Sequence, residues 1–237
     1  MEVRFITAAK MYLRGMSYTE SDRLAEELYA RPDLEEQLQQ LQTRLKTERE
    51  RRKEFYEWLD EDKKAEFING EIFVHSPVVK RHADATKNLT ILLSTHVEVH
   101  ELGFVGTEKI LVQLRRNDFE PDVVFWRKPK SDDFEDGQLF FPAPDLVVEV
   151  LSPSTEKNNR TVKYDAYAAN GVAEYWIVDS AKQSVECYEL EGETYSEAVV
   201  VERGGRLNSK AAAGFDIPLA ALFDRDTHLR TLRQILS

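Results

Sequence analysis

Leucines at 34, 38, 41 and 45 recur at steps of four, three and four residues, a spacing that lines up one stripe of an α-helix. A shorter helix is predicted before them, from Ser17 to Ala30, and Pro32 interrupts the two because proline lacks the helical N–H and clashes with the preceding turn. After the leucines, RLKTERERRKEFYEW mixes acids and bases on a solvated helix face. The seam covers fewer than two heptads, which is marginal for a coiled coil standing alone. Two readings stay open: a helix packed on its own domain, and an arm that dimerises or binds a partner.

From Ala65 the pattern changes to β. Asn69-Gly70 between EFI and EIFVHS predicts a hairpin, since both residues accept positive φ, and Pro77 ends its second strand. His82 to His100 is amphipathic, with Leu89, Leu92, Leu93 and Val97 on one side, and predicts the first core helix. Strands are expected at Lys109 to Leu114, Val123 to Trp126 and Leu146 to Leu151, then a helix from Arg160 to Asn170 stopped by Gly171, then a strand from Glu174 to Asp179. A last meander runs through Ser184 to Glu189 and Glu197 to Arg203; Gly204-Gly205 interrupts it, and DIPLAALF packs back. This order predicts an α/β domain with a mixed sheet flanked by helices. A length of 237 residues suits one such domain, 61–237, plus a helical extension, 1–60.

Two acids stand in the central strand-like runs: Asp122 in EPDVVFW and Glu149 in PDLVVEVLSPST. Glu149 lies among Leu146, Val147, Val148, Val150 and Leu151, the continuous apolar pattern of a strand buried on both faces. A carboxylate there is costly unless it is neutralised or bound to a cation. Either it pairs with a buried base, or the two acids hold a divalent ion such as Mg²⁺ against a phosphate. Lys163, in RTVKYDAY, would then offset the charge that builds on a phosphate under attack. On this second reading the order Asp, Glu, Lys points to phosphodiester hydrolysis.

The stretch from about Lys53 to Leu222 resembles the Uma-two endonuclease family of the PD-(D/E)xK superfamily. The resemblance is carried by EFINGEIFVHSP with His82 downstream, EPDVVFW, PDLVVEVLSPST, Lys163 with Tyr167, NGVAEYWIVD and AAAGFDIPLAALF, in the family's order. It implies a restriction-endonuclease-like core, DNA as substrate, Mg²⁺ or Mn²⁺ as cofactor, and Asp122 and Glu149 as metal ligands. Where the simplest motif of the superfamily has lysine, two residues after Glu149, this chain has Leu151. Lys163 from the following helix then becomes the candidate lysine, with Lys157 next in line. Nucleases of this superfamily often take a further acid from an N-terminal element, which makes Glu71, ahead of Glu66, the hairpin candidate for that place. His82 would position water or phosphate, or cap its helix. The alternative function is an inactive nuclease fold that engages a partner through the arm, which lies outside the resemblance.

Composition changes this picture in two places. The net charge of −11 is unusual for a nucleic-acid binder, whose affinity comes largely from neutralised phosphates. Local clusters must compensate: Arg127, Lys128 and Lys130, and Lys157, Arg160 and Lys163, unless these are plain solvated surface. Cys187 is the single cysteine, so no intramolecular disulfide forms, a reducing cytoplasm is expected, and the residue reads as strand packing. No apolar run approaches a membrane span, and the opening residues lack a signal-peptide core.

Other residues read as structural. His96 and His100 share a helical face, yet HVEVH lacks the HExxH order of a zinc protease. Asp145 starts a strand, Ser152 and Ser154 cap the next segment, and Tyr167, Tyr175 and Trp176 are core or rim aromatics.

Overall fold

The computed structural model describes residues 20–60 and 62–237. The expected helix start at Ser17, and the opening residues that lack a signal-peptide core, lie outside them. A boundary between two compact units falls between Lys53 and Glu54. In the first unit, the helix Glu20–Tyr29 ends ahead of Pro32, and a second helix begins at Leu34. Leu38, Leu41 and Leu45 are 43%, 45% and 38% exposed. The stripe the spacing predicts is therefore formed, and it meets solvent.

The second unit opens on the last turn of the Leu34–Trp58 helix, where Phe55 is buried against Ala65, Phe67 and Leu111. Next comes the hairpin of β1 (Ala65–Ile68) and β2 (Glu71–Val74), closed by Asn69 at φ 50° and Gly70 at φ 89°. The helix Lys80–Val99 leads into β3 (Gly103–Thr107), β4 (Leu111–Gln113), β5 (Asp118–Phe119) and β6 (Val123–Arg127). Then follow β7 (Phe140–Phe141), β8 (Leu146–Val150), a helical crossover, and β9 (Glu174–Asp179). The chain closes with β10 (Ser184–Glu191), β11 (Thr194–Tyr195), β12 (Val199–Glu202), β13 (Arg206–Asn208), β14 (Asp216–Pro218) and a helix, Arg225–Ile235.

The expected mixed sheet resolves into two larger sheets and a small β13–β14 pair. The larger has seven strands in the order β11-β10-β9-β8-β6-β3, with β12 added at β10; β8 and β9 are parallel and its other pairs antiparallel. The smaller has five, β2-β1-β5-β4-β7. Alternation along β8 decides which side chains meet which layer. Leu146, Val148 and Val150 pack with Leu89, Leu92 and Leu93 of the long helix. Val147 and Leu151 face the opposite layer, with Tyr167, Tyr175 and Phe119. Glu149 shares that second face.

Several elements depart from the sequence reading. The strand expected from Lys109 starts only at Leu111, because Glu108 and Lys109 turn through φ 29° and 56°. β3 falls in a stretch with no strand-like alternation. Its Gly103 lies so close to β6 that an added Cβ would stand 1.9 Å from the Trp126 carbonyl oxygen. The terminal helix was not expected; Asp224 caps it, accepting a 2.8 Å bond from Thr227 N. Among the described residues no helix is long and apolar enough to cross a membrane.

Candidate active site

The register of β6 against β8 builds the centre. Val123 pairs with Val148 and Val124 with Val147, so the next position outward sets Asp122 opposite Glu149. Directly opposed residues share a face, with Cβ atoms about 5 Å apart. The backbone locks this arrangement: Val150 N donates to Asp122 Oδ2 at 2.7 Å. His82, on the long helix, brings Nε2 to 3.0 Å from the Val150 carbonyl and 3.4 Å from Asp122 Oδ2. His82 is thus a brace between helix and strand ends; the helix cap is Val79.

Lys163 arrives from the crossover. After a single helical turn at Glu156–Asn158, the backbone widens into a π turn, Asn159–Lys163, before the α-helix Tyr164–Ala169. Such π turns are often found at functional sites. Lys163 and Tyr167, four residues apart, both reach Glu149 Oε1, at 2.8 and 2.9 Å. The ammonium also lies 2.7 Å from Glu66 Oε1 and 5.4 Å from the centre of the Phe119 ring. It is 1% exposed, and burial alone would lower its pKa; Glu149 and Glu66 outweigh that and raise it. Lys163 therefore stands behind the carboxylates and does not line the cleft itself.

Of the two hairpin acids, Glu66 is the one that enters the centre. Glu71 is exposed on β2. Glu66 Oε1 also accepts from Glu120 N at 2.9 Å, and His75 Nε2 lies 3.5 Å from its other oxygen. Although burial opposes it, Lys163 and His75 hold Glu66 down at about 2. Glu149 goes the other way: burial, together with Glu66 and Asp122, pushes it up to about 7 against the pull of Lys163. Asp122 stays below the usual range because the His82 and Val150 contacts outweigh its burial.

These groups open onto one cleft of about 170 Å³ whose wall includes Lys64, Glu66, His82, Glu120, Asp122 and Glu149. Ser152 and Ser154 stand on the same wall, their hydroxyls 3.1 Å apart, and Ser152 Oγ reaches Thr155 Oγ1 at 2.8 Å. Among the described residues, Asp122 Oδ1 and Glu149 Oε2 have no protein hydrogen-bond partner. Two such oxygens on one cleft suit a hard cation, which takes one or two carboxylates and completes its shell with water and substrate oxygens. No three His, Cys, Asp or Glu side chains converge as a complete metal cage among the described residues, so those outside ligands would be required.

The basic clusters lie elsewhere. Arg127 and Lys130 both bind Asp145, at 3.1 and 3.2 Å, beyond the far end of β6. That strand separates them from Asp122 by roughly 16 Å. Arg160 is held by Glu186, Nη2 to Oε1 at 2.7 Å. Neither arginine lines the cleft; Lys64 does. Sequence reasoning passed over Lys64, His75 and Glu120 as site residues: His75 and Glu120 stand inside quoted motifs without a role, the hairpin of β1 and β2 sets His75 beside Lys64, and the pairing of β1 with β5 brings Glu120 to them.

The model of the Uma2 family, described as "Putative restriction endonuclease", matches residues 52–220. Two uncharacterized proteins of Synechocystis sp., slr1290 and sll1609, are each 30% identical to this chain. The first match spans 139 residues, 57% of this chain and 71% of the relative; the second spans 133 residues, 55% and 74%. The crystal structure of "a putative nuclease belonging to DUF820" from Anabaena variabilis superposes with a TM-score of 0.63 at 19% identity, covering 72% of this chain and 96% of that one.

Proposed function

This chain belongs to the Uma2 family of restriction-endonuclease-like proteins, and from that premise and the geometry of its cleft we propose that it is a metal-dependent DNA endonuclease of the PD-(D/E)xK type. The observation that carries the reading is the cross-strand pair of Asp122 and Glu149, each with one unpartnered oxygen on the same cleft. These two residues would hold Mg²⁺ or Mn²⁺, which when bound supplies Lewis-acid stabilisation of charge on the scissile phosphate.

The remaining work falls to the chain. Val150 N–H and His82 fix the rotamer of Asp122, and Lys163 with Tyr167 fixes that of Glu149. A rigid donor set of this kind costs no reorganisation when the substrate reacts. Lys163 offsets the charge of Glu66 and Glu149, so the centre can take a phosphate without three uncompensated carboxylates facing it. Lys64 and the hydroxyls of Ser152 and Ser154, on the cleft wall, are the groups that would meet phosphate oxygens. The arm is assigned to self-association, its exposed leucine stripe pairing with a second copy.

Purified protein with supercoiled plasmid tests the proposal. Nicking is expected with Mg²⁺ or Mn²⁺, none with a chelator, and none in Asp122→Asn. A folded wild type that leaves the plasmid intact with either ion would favour an interaction module that keeps the nuclease fold.

A further inference from the structure

One side chain, Glu120, lines both the cleft and a neighbouring cavity of about 270 Å³. Tyr56, Leu139 and Phe140 give this second cavity an apolar wall, and its charged groups are Lys63, paired to Asp60, together with Lys109 and Glu120. Three observations single it out. Glu120 is 4% exposed, and its Oε2 is buried with no hydrogen-bond partner among the described residues. Native structures rarely leave a buried acceptor so, which points to a donor that arrives from outside. Next, Leu139 and Phe140 are 69% and 38% exposed, and the Phe140 ring stands edge-on to Tyr56 at 4.9 Å, an aromatic corner open to solvent. Finally, Glu108 and Lys109 adopt left-handed φ of 29° and 56°, which non-glycine residues hold at a cost and which often marks a functional turn.

We propose that this cavity receives one unstacked base of the DNA strand beside the phosphate held in the cleft, and that Glu120 Oε2 accepts a hydrogen bond from an exocyclic amino group of that base. The inference rests on the endonuclease reading and names its substrate: DNA that is single-stranded or locally unpaired. Adenine, cytosine and guanine carry such a donor, and thymine does not. Any base can stack on the aromatic corner, so Phe140 and Tyr56 supply affinity while Glu120 supplies preference.

The test uses full-length Asp122→Asn protein, which cannot cleave, and short single-stranded oligonucleotides with one abasic position moved along the strand, read by fluorescence anisotropy. One abasic position is expected to weaken binding by on the order of tenfold, the worth of one base stacked on an aromatic ring. Adding Phe140→Ala should weaken the intact strand similarly and leave the abasic strand unchanged. Leu139→Ser, at a more exposed residue, provides a second variant with the same expected overlap. Glu120→Leu should erase the preference for cytosine over thymine at that position. Losses that multiply, or a Phe140→Ala protein that binds intact and abasic strands as before, overturn the pocket while plasmid cleavage by the wild type still stands. A wild type that neither cleaves nor binds DNA overturns the endonuclease reading and this inference with it.

Discussion

Glu149→Gln should make the metal-free protein more stable at alkaline pH and unable to cut DNA. In the wild type Glu149 Oε1 accepts from Lys163 and Tyr167; a glutamine carbonyl keeps both bonds, and the amide nitrogen takes the place of the unpartnered Oε2. Lys163 retains Glu66 at 2.7 Å as its counter-charge. What disappears is a buried negative charge whose pKa stands at about 7, against an ordinary 4.5, because burial, Glu66 and Asp122 disfavour it. Full ionisation across that gap costs on the order of 3 kcal/mol. The sign follows from proton binding. The folded state holds this proton more tightly than the unfolded chain does, so the wild type loses stability as pH rises from about 4.5 to about 7, and the variant escapes that loss. The difference between the two should be near zero at pH 4 and reach about 3 kcal/mol above pH 8, a rise in Tm of roughly 6–12 °C for a chain of this size. Thermal unfolding in chelator, followed by near-ultraviolet circular dichroism across that pH range, measures it. A variant less stable than wild type at pH 8, or a gain that does not depend on pH, would refute the reasoning.

Three further outcomes are expected. Mg²⁺ should compete with the proton that burial, Glu66 and Asp122 favour on Glu149, so its affinity should fall as pH drops below about 7, and calorimetry in two buffers of different ionisation enthalpy should detect proton release on binding; identical heats in both buffers would count against Glu149 as a ligand. Lys163→Ala leaves Glu66 and Glu149 without their buried counter-charge and should cost roughly 3–5 kcal/mol in denaturant unfolding, with cleavage reduced far more than metal affinity; Leu151→Lys in that background, on the same strand face as Glu149, should recover part of the rate, and full activity in Lys163→Ala would shift the role to another group, Lys157 first. Replacing Leu38, Leu41 and Leu45 with Gln should lower the mass seen by light scattering without changing the core's unfolding, and an unchanged mass would remove self-association from the arm.

Glu149 is legible in the chain because an acid inside an unbroken apolar run has few places to go, and Asp122 is legible as the acid that opens the preceding strand-like run. Lys163 is legible for a related reason: it and Tyr167 are one turn apart, so a helix behind the strand aims both at one point. Glu66 is not. In EFINGEIF two acids flank a turn almost symmetrically, and only the pairing of β1 with β5 turns Glu66 inward and leaves Glu71 in water. The basic run after Trp126 suggests a DNA-facing patch, yet β6 carries it away from the cleft and Asp145 holds it there. Strands such as β5 and β7 are two residues long, too short for a period of two to declare itself. Their neighbours decide them.

The π turn at Asn159–Lys163 has a consequence for how this centre could change over time. The carboxylates belong to a strand ladder whose register cannot slip without exposing a core, whereas the ammonium hangs on a stretch whose winding differs from the helix that follows it. Deleting one residue there would rotate everything upstream relative to Tyr167 by about 100° about the helix axis. A single-codon gain or loss between Glu156 and Val162 would therefore change the path by which the chain enters this helix, while Lys163 and Tyr167 would keep their four-residue step and the strand ladder its register.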